Sequence, residues 1–114
     1  GNFGDLMFGI IRDPAMIRYL NNDRNRKEAP NENLARELME LFSLGEGHYE
    51  ESDIKEGARA LTGYTVEGNS FVFDDRMHDG GNKRILGASG TLDGDGFVKA
   101  ILSQRACAEF IALK

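Results

Sequence analysis

The stretch "PNENLARELMELFSLGEG" (30–47) constrains this chain more than any other. At 100° per residue, Leu34, Ala35, Leu38, Met39, Leu41 and Phe42 fall on one side of a helix over about 31–44. Asn33, Arg36, Glu37 and Glu40 fall on the other. A helix with so wide an apolar stripe has to lie on a core. Asn31 is the natural N-cap, Glu32 suits the positive end of the dipole, and Gly45 supplies a left-handed stop. The opposite face is almost wholly ionic. Arg36 and Glu40 are four apart, as are Asn33 and Glu37, and exposed pairs of this kind add only ~0.2–0.5 kcal/mol each. Two readings follow: a solvated face with ordinary ion pairs, or a half-buried ionic face that positions other groups.

The remaining patterns are mostly helical. Residues 3–12 form a first helix with Phe3, Leu6, Met7, Ile10 and Ile11 on one face. Asp13 caps a short second helix over 14–20, with Pro14 in its favoured first position. "NNDRNRKEAPN" (21–31) is a polar loop without periodicity. A fourth helix over 52–62 begins at Glu51 or Ser52. It carries a narrow stripe of Ile54, Gly57, Ala58 and Leu61, small enough to admit a neighbouring backbone, and ends at Gly63. "YTVEGNSFVF" (64–73) sets two β-prone runs around Gly68-Asn69, a hairpin signal. Residues 74–95 read as loop. Asp95 is placed to cap a helix over 96–103, and a last helix runs over 105–114. The expected fold is mainly α: five or six short helices and one small β-hairpin, forming an incomplete part of a larger helical domain.

Composition narrows the function classes. The chain has 114 residues, 40% apolar and 29% charged, with a net charge of −5. Such an acidic chain lacks the basic footprint of general nucleic-acid binding. No apolar run approaches the ~20 residues of a membrane helix. Cys107 is the single cysteine, which excludes an internal disulfide and a cysteine-rich zinc site, and its apolar helical neighbourhood points to a buried thiol. The chain opens "GNFGDLMFGII" without a methionine. It closes on "ACAEFIALK", apolar all round a helix. Both ends read as cuts within a longer protein, whose remainder is then the expected partner.

The chemistry-bearing residues are few. "RMHDGGNK" (76–83) puts His78 in a glycine-flexed loop beside Asp79 and near Lys83. Histidine titrates near neutrality, and a carboxylate on its ring would orient it. Asp79, Glu37 and Glu40 are the candidates. The alternative is a turn histidine satisfied by backbone. His48, His78, Asp74, Asp75 and Asp79 have metal-ligating atoms but no recognised spacing, so no metal is assigned. "DGDG" (93–96) fails as a calcium loop, since Phe97 and Gln104 stand where oxygen ligands are needed. No glycine loop of a phosphate- or dinucleotide-binding type occurs, and no motif names a cofactor. "FSLGEG" has no nucleophile-elbow context. Asp53 and Glu56 form no evident acid/base pair. Tyr64 packs its ring beneath the hairpin and keeps its hydroxyl wet.

"PNENLARELMELFSLGEGHYEESDIKEGARALTGY", then "FVF", "HDGGNKRILG" and "ACAEFIALK", resembles the bacterial family catalogued as domain of unknown function 1800. The likeness spans most of 3–114. Tyr64 stands where the family usually has tryptophan, Ile54 where it often has valine, and Glu50 where threonine is usual. The resemblance implies a mostly helical fold, a longer parent chain and, often, export in bacteria. It implies no settled activity. Asn31, Glu32, Asn33, Arg36, Glu37, Arg59, His78, Asp79 and Lys83 match its motif positions and so become candidates.

Two functions remain open from sequence. In the first, the chain is a structural or interaction segment. Asn31 and Asn33 clamp loops, Arg36 and Arg59 tie helices, and His78-Asp79 closes the loop after the hairpin. In the second, it is part of a hydrolase-like or metal-assisted enzyme. There His78 acts as base or ligand, Asp79, Glu37 or Glu40 orients it, and Arg36 or Lys83 holds an anionic group. The enzyme reading requires His78 within about 3–4 Å of a third-helix carboxylate.

Overall fold

The computed structural model describes residues 2–44 and 47–112, with side chains through Gln104. Among these residues lie α1 (Phe3–Ile10), α2 (Pro14–Tyr19), a 3-10 turn (Asn22–Arg24), α3 (Asn33–Leu44) and α4 (Glu51–Ala60). Then come β1 (Tyr64–Glu67), β2 (Ser70–Phe73), β3 (Lys83–Ile85), β4 (Ala88–Gly90) and α5 (Gly94–Ala112). The two strand pairs form separate antiparallel sheets. The fold is therefore mixed α and β, about half helix with four short strands, and not mainly α with one hairpin.

The core follows from the helix faces. Leu34, Ala35, Leu38, Met39 and Phe42 of α3 are buried, and Leu41 is half-buried at the edge of the stripe. They meet Met7 and Ile11 from α1, Ile54, Ala58 and Leu61 from α4, and Phe97, Val98 and Ile101 from α5. Leu6, expected on the inner face of α1, is 52% exposed. Asp13 Oδ1 caps α2 through the Ala15 N–H, with Pro14 as its first residue. On α4 the neighbour admitted by Gly57 is a ring rather than a backbone. A Cβ there would lie 2.7 Å from the Phe97 ring.

The second hairpin corrects the loop expected over 74–95. Lys83 pairs with Gly90, Arg84 with Ser89 and Ile85 with Ala88. Leu86 (φ 51°) and Gly87 (φ 84°) form its turn, both left-handed, as a type I′ turn requires. A leucine in the first of these positions and strands of three residues hide the hairpin from any pattern reading. Lys83 and Ile85 point inward and Arg84 outward, which is ordinary strand alternation. The first hairpin lies at Gly68-Asn69, with Gly68 at φ 62°.

Several caps also differ from expectation. Asp93, not Asp95, caps α5: its Oδ1 accepts from the Gly96 N–H at 2.8 Å. The helix then continues without a break where two helices were expected. Asn31 acts one position before the cap of α3, its Oδ1 accepting from the Asn33 N–H. Glu50 precedes α4, and Asp53 Oδ2 reaches back to its N–H. The stop at Gly45 and the environment of Cys107 lie outside the described residues.

Candidate functional site

The polar residues collect where α4 ends. Helix α4 closes in the turn Leu61–Thr62–Gly63, and its last carbonyls need donors. Gly63 sits at φ +86°, and a Cβ there would lie 2.5 Å from the Asp74 carbonyl oxygen, so only glycine fits. Its carbonyl accepts from the Asp74 N–H at 2.8 Å, which lays the 74–79 loop against the helix end.

Arg59 is the centre of this region. Its Nε and Nη2 donate to the two Asp79 oxygens at 2.8 and 3.2 Å, a paired contact that fits the flat guanidinium. Its Nη1 donates to Glu56 at 2.9 and 3.1 Å and to the Asn82 carbonyl at 3.0 Å. Lys83 is 3% exposed, and its Nζ donates to the carbonyls of Asp79 and Gly81. Two carboxylates and two cations thus stand together without net charge. The Arg59 hydrogen bonds hold the Asp79 carboxyl at about 2, below the ordinary carboxylate value. The Asp79 and Glu56 hydrogen bonds push the Arg59 guanidinium up, and burial pushes the Lys83 ammonium down. A carboxylate that keeps its proton off down to that pH is a weak base near neutrality.

Thr62 joins this cluster to His78. Its hydroxyl donates to the Arg59 carbonyl and accepts from the Asp79 N–H at 2.7 Å. The His78 Nδ1–H donates to the Thr62 carbonyl at 2.8 Å, which sets the ring tautomer. The Thr62 hydroxyl lies 3.4 Å from the same nitrogen, and the ring packs against Phe73, with centroids 5.2 Å apart. Among the described residues, no carboxylate of α3 is a hydrogen-bond or ion-pair partner of His78, whose Nδ1 is met by Thr62.

The expected site residues therefore separate into groups. Arg59, Asp79, Lys83 and His78 come together. Arg36 bridges α3 to α4 by pairing with Glu32 at 3.0 Å and Glu51 at 3.3 Å, and its expected partner Glu40 takes no part. Among the described residues, neither Glu37 nor Glu40 has a side-chain hydrogen bond or ion pair. His48 is exposed, 3.5 Å from Glu50. Among the described residues no three histidine, cysteine, aspartate or glutamate side chains gather as a metal site. Asn33 Nδ2 donates to the Leu20 carbonyl.

The main residues missed from sequence are Asn22 and Asn25, both fully buried in the stretch expected to be plain loop. Asn22 Nδ2 donates to the carbonyls of Leu61 (3.1 Å) and Tyr64 (2.8 Å). Asn25 Nδ2 donates to Ala58 (2.9 Å) and to Asn22 Oδ1 (3.0 Å). Asn25 Oδ1 accepts from the Asn31 N–H at 2.7 Å. This amide pair satisfies the end of α4 from one side, as Arg59 and Thr62 organise it from the other. Two asparagines three apart were its only trace in the sequence. Glu56, the third missed residue, was legible as the i, i+3 partner of Arg59.

Tyr64 lies on the other side of the first hairpin. Its hydroxyl is not wet: the residue is 3% exposed, and the oxygen accepts from the Asp95 N–H at 3.2 Å. Burial raises its pKa to about 12.

A mixed α/β fold in which two hairpins pack on a helical core, with a charge-balanced polar cluster where α4 meets the 79–83 segment, defines the structural class. The chain belongs to the family described as Protein of unknown function (DUF1800), which it matches over residues 1–114. No curated protein and no solved structure matches it. No helix among the described residues is long and apolar enough to cross a membrane.

Proposed function

We propose that this chain is a structural and interaction segment of a larger bacterial protein, and that its motif residues hold the fold together. The supporting observation is the set of protein acceptors around Arg59. One guanidinium directs four of its five N–H groups at Asp79, Glu56 and the Asn82 carbonyl, which suits a residue that ties elements together. His78 fits the same reading, because its Nδ1–H is satisfied by backbone. Asn31, Glu32, Asn33 and Arg36 tie the start of α3 to its neighbours, and the remainder of the parent protein is the partner.

The test compares His78→Ala, Asp79→Asn and Glu37→Gln in the intact protein, by melting and by complementation of a deletion strain. Asp79→Asn should lower the melting temperature most, His78→Ala should lower it less, and Glu37→Gln should leave it unchanged. Loss of complementation by His78→Ala at unchanged melting would overturn the proposal.

A further inference from the structure

A small cavity of about 190 Å³ opens where the first hairpin meets the start of α5, lined by Arg12, Tyr64, Phe71, Phe73, Asp93 and Asp95. Three of its walls are aromatic. The Tyr64 ring lies 5.7 Å from Phe71 and 5.3 Å from Phe73, the latter edge to face. Ring faces attract cations, and they do so more strongly when water is thinned out around them. The chain itself uses this property. The Arg12 guanidinium sits 5.9 Å from the Tyr64 centroid and 5.7 Å from that of Phe71, and its Nη2 contacts both Asp95 oxygens at 2.6 and 2.7 Å.

That arrangement leaves a second set of the same groups without a cation. Phe73 is 42% exposed, with the Tyr64 ring at 5.3 Å and the His78 ring at 5.2 Å, and the Arg12 guanidinium lies over Tyr64 and Phe71 and not over it. Asp93 forms no ion pair among the described residues. One of its oxygens accepts from the Gly96 N–H, and the other accepts no hydrogen bond among the described residues. The cavity thus holds two carboxylates against one guanidinium, a net negative charge beside aromatic rings.

We infer that this cavity binds an organic monocation, an ammonium or guanidinium head, between the Phe73 ring and the Asp93 carboxylate. The Asp93 charge would supply attraction, and Phe71 and Phe73 would replace part of the cation's hydration. A neutral molecule of the same shape gains only the apolar contact. The site is distinct from the Arg59 lock, and the inference does not rest on the structural reading of that lock.

The test is ligand-observed NMR on the intact protein, with choline as the cation and 3,3-dimethylbutan-1-ol as its neutral isostere. Two variants accompany the wild type. Asp93→Asn removes the charge but keeps a good helix cap, so α5 stays anchored. Phe73→Leu removes the ring at a part-exposed position. The expected result is saturable choline binding to the wild type, weakened about threefold or more in each variant, with the isostere binding more weakly than choline. No saturable choline binding, choline binding by either variant as tight as by the wild type, or isostere binding as tight as choline would each overturn the inference. An Nα-acetyl-lysine methyl ester arm, a monocation compared with choline, distinguishes a protein side chain from a free quaternary amine as the natural source.

Discussion

Replacing Asn25 by alanine should destabilise the protein far more than a loop substitution ordinarily does. Asn25 is fully buried and makes three side-chain hydrogen bonds, to Ala58, Asn22 and Asn31. Alanine removes all three and leaves their partners behind. The Ala58 carbonyl is in the core and Asn22 Oδ1 is buried, so neither gains an easy replacement. The Asn31 N–H is half-buried and can reach water. An orphaned buried group costs ~1–3 kcal/mol. Two such groups, less some relaxation, give about 2–4 kcal/mol. The matched control is Asn31→Ala, which removes one bond to the Asn33 N–H at a part-exposed position and should cost about 1 kcal/mol or less. Urea unfolding at constant m-value, with hydrogen exchange at the Asn31 amide, reads both. An Asn25→Ala cost within about 0.5 kcal/mol of the control would refute the reasoning, because the amide pair would then carry no more than an exposed cap.

Three further outcomes follow from the same geometry. Gly63→Ala forces a left-handed alanine against the Asp74 carbonyl and should cost over ~2 kcal/mol in the same unfolding assay. Gly57→Ala places a methyl 2.7 Å from the Phe97 ring and should cost about 1–3 kcal/mol, recovered in part by Phe97→Leu. Asp79 gives a pH signature. Its folded pKa of about 2 lies below the ordinary aspartate value of 3.8, so its contribution is complete above about pH 4–5 and is lost as pH falls towards 2. With the side chain 22% exposed, that contribution is about 1–2 kcal/mol after solvent screening. Asp79→Asn should flatten the stability–pH curve in that window, and an unchanged slope would contradict the assignment.

Periodicity recovered what periodicity governs. The inner face of α3 was legible because five of its six apolar positions are fully buried. The first hairpin was legible because Gly68-Asn69 fits a two-residue turn. The cap at Asp13 and the first-turn Pro14 were equally plain. The second hairpin was not, since Leu86 occupies a backbone region where glycine or asparagine is the usual signal. Its neighbours Asp53 and Gln104 hold that turn, through the Leu86 N–H and carbonyl, from distant points of the chain. The continuity of α5 was hidden by a lack of any one-sided pattern near Ser103.

The candidate site was legible by membership and not by arrangement. Arg59, Asp79 and Lys83 stood among the candidates, while for His78 a carboxylate partner (Asp79, Glu37 or Glu40) and a turn satisfied by backbone both stayed open. The tight passage at Gly63 decides for the backbone, by pressing the loop onto the Thr62 carbonyl. Such tertiary choices leave no local spacing in a sequence. Asn22 and Asn25 escaped for a related reason: a polar run looks solvated until the helix end it covers is known.

A double-mutant cycle between Arg59 and Asp79 tests the central claim, that these motif residues form a structural lock. The variants are Arg59→Met, Asp79→Asn and their combination, each measured by urea unfolding. The paired contact at 2.8 and 3.2 Å predicts a coupling of about 1–3 kcal/mol, with each single variant clearly destabilised. A coupling near zero, with either single variant as stable as the parent, would contradict the account.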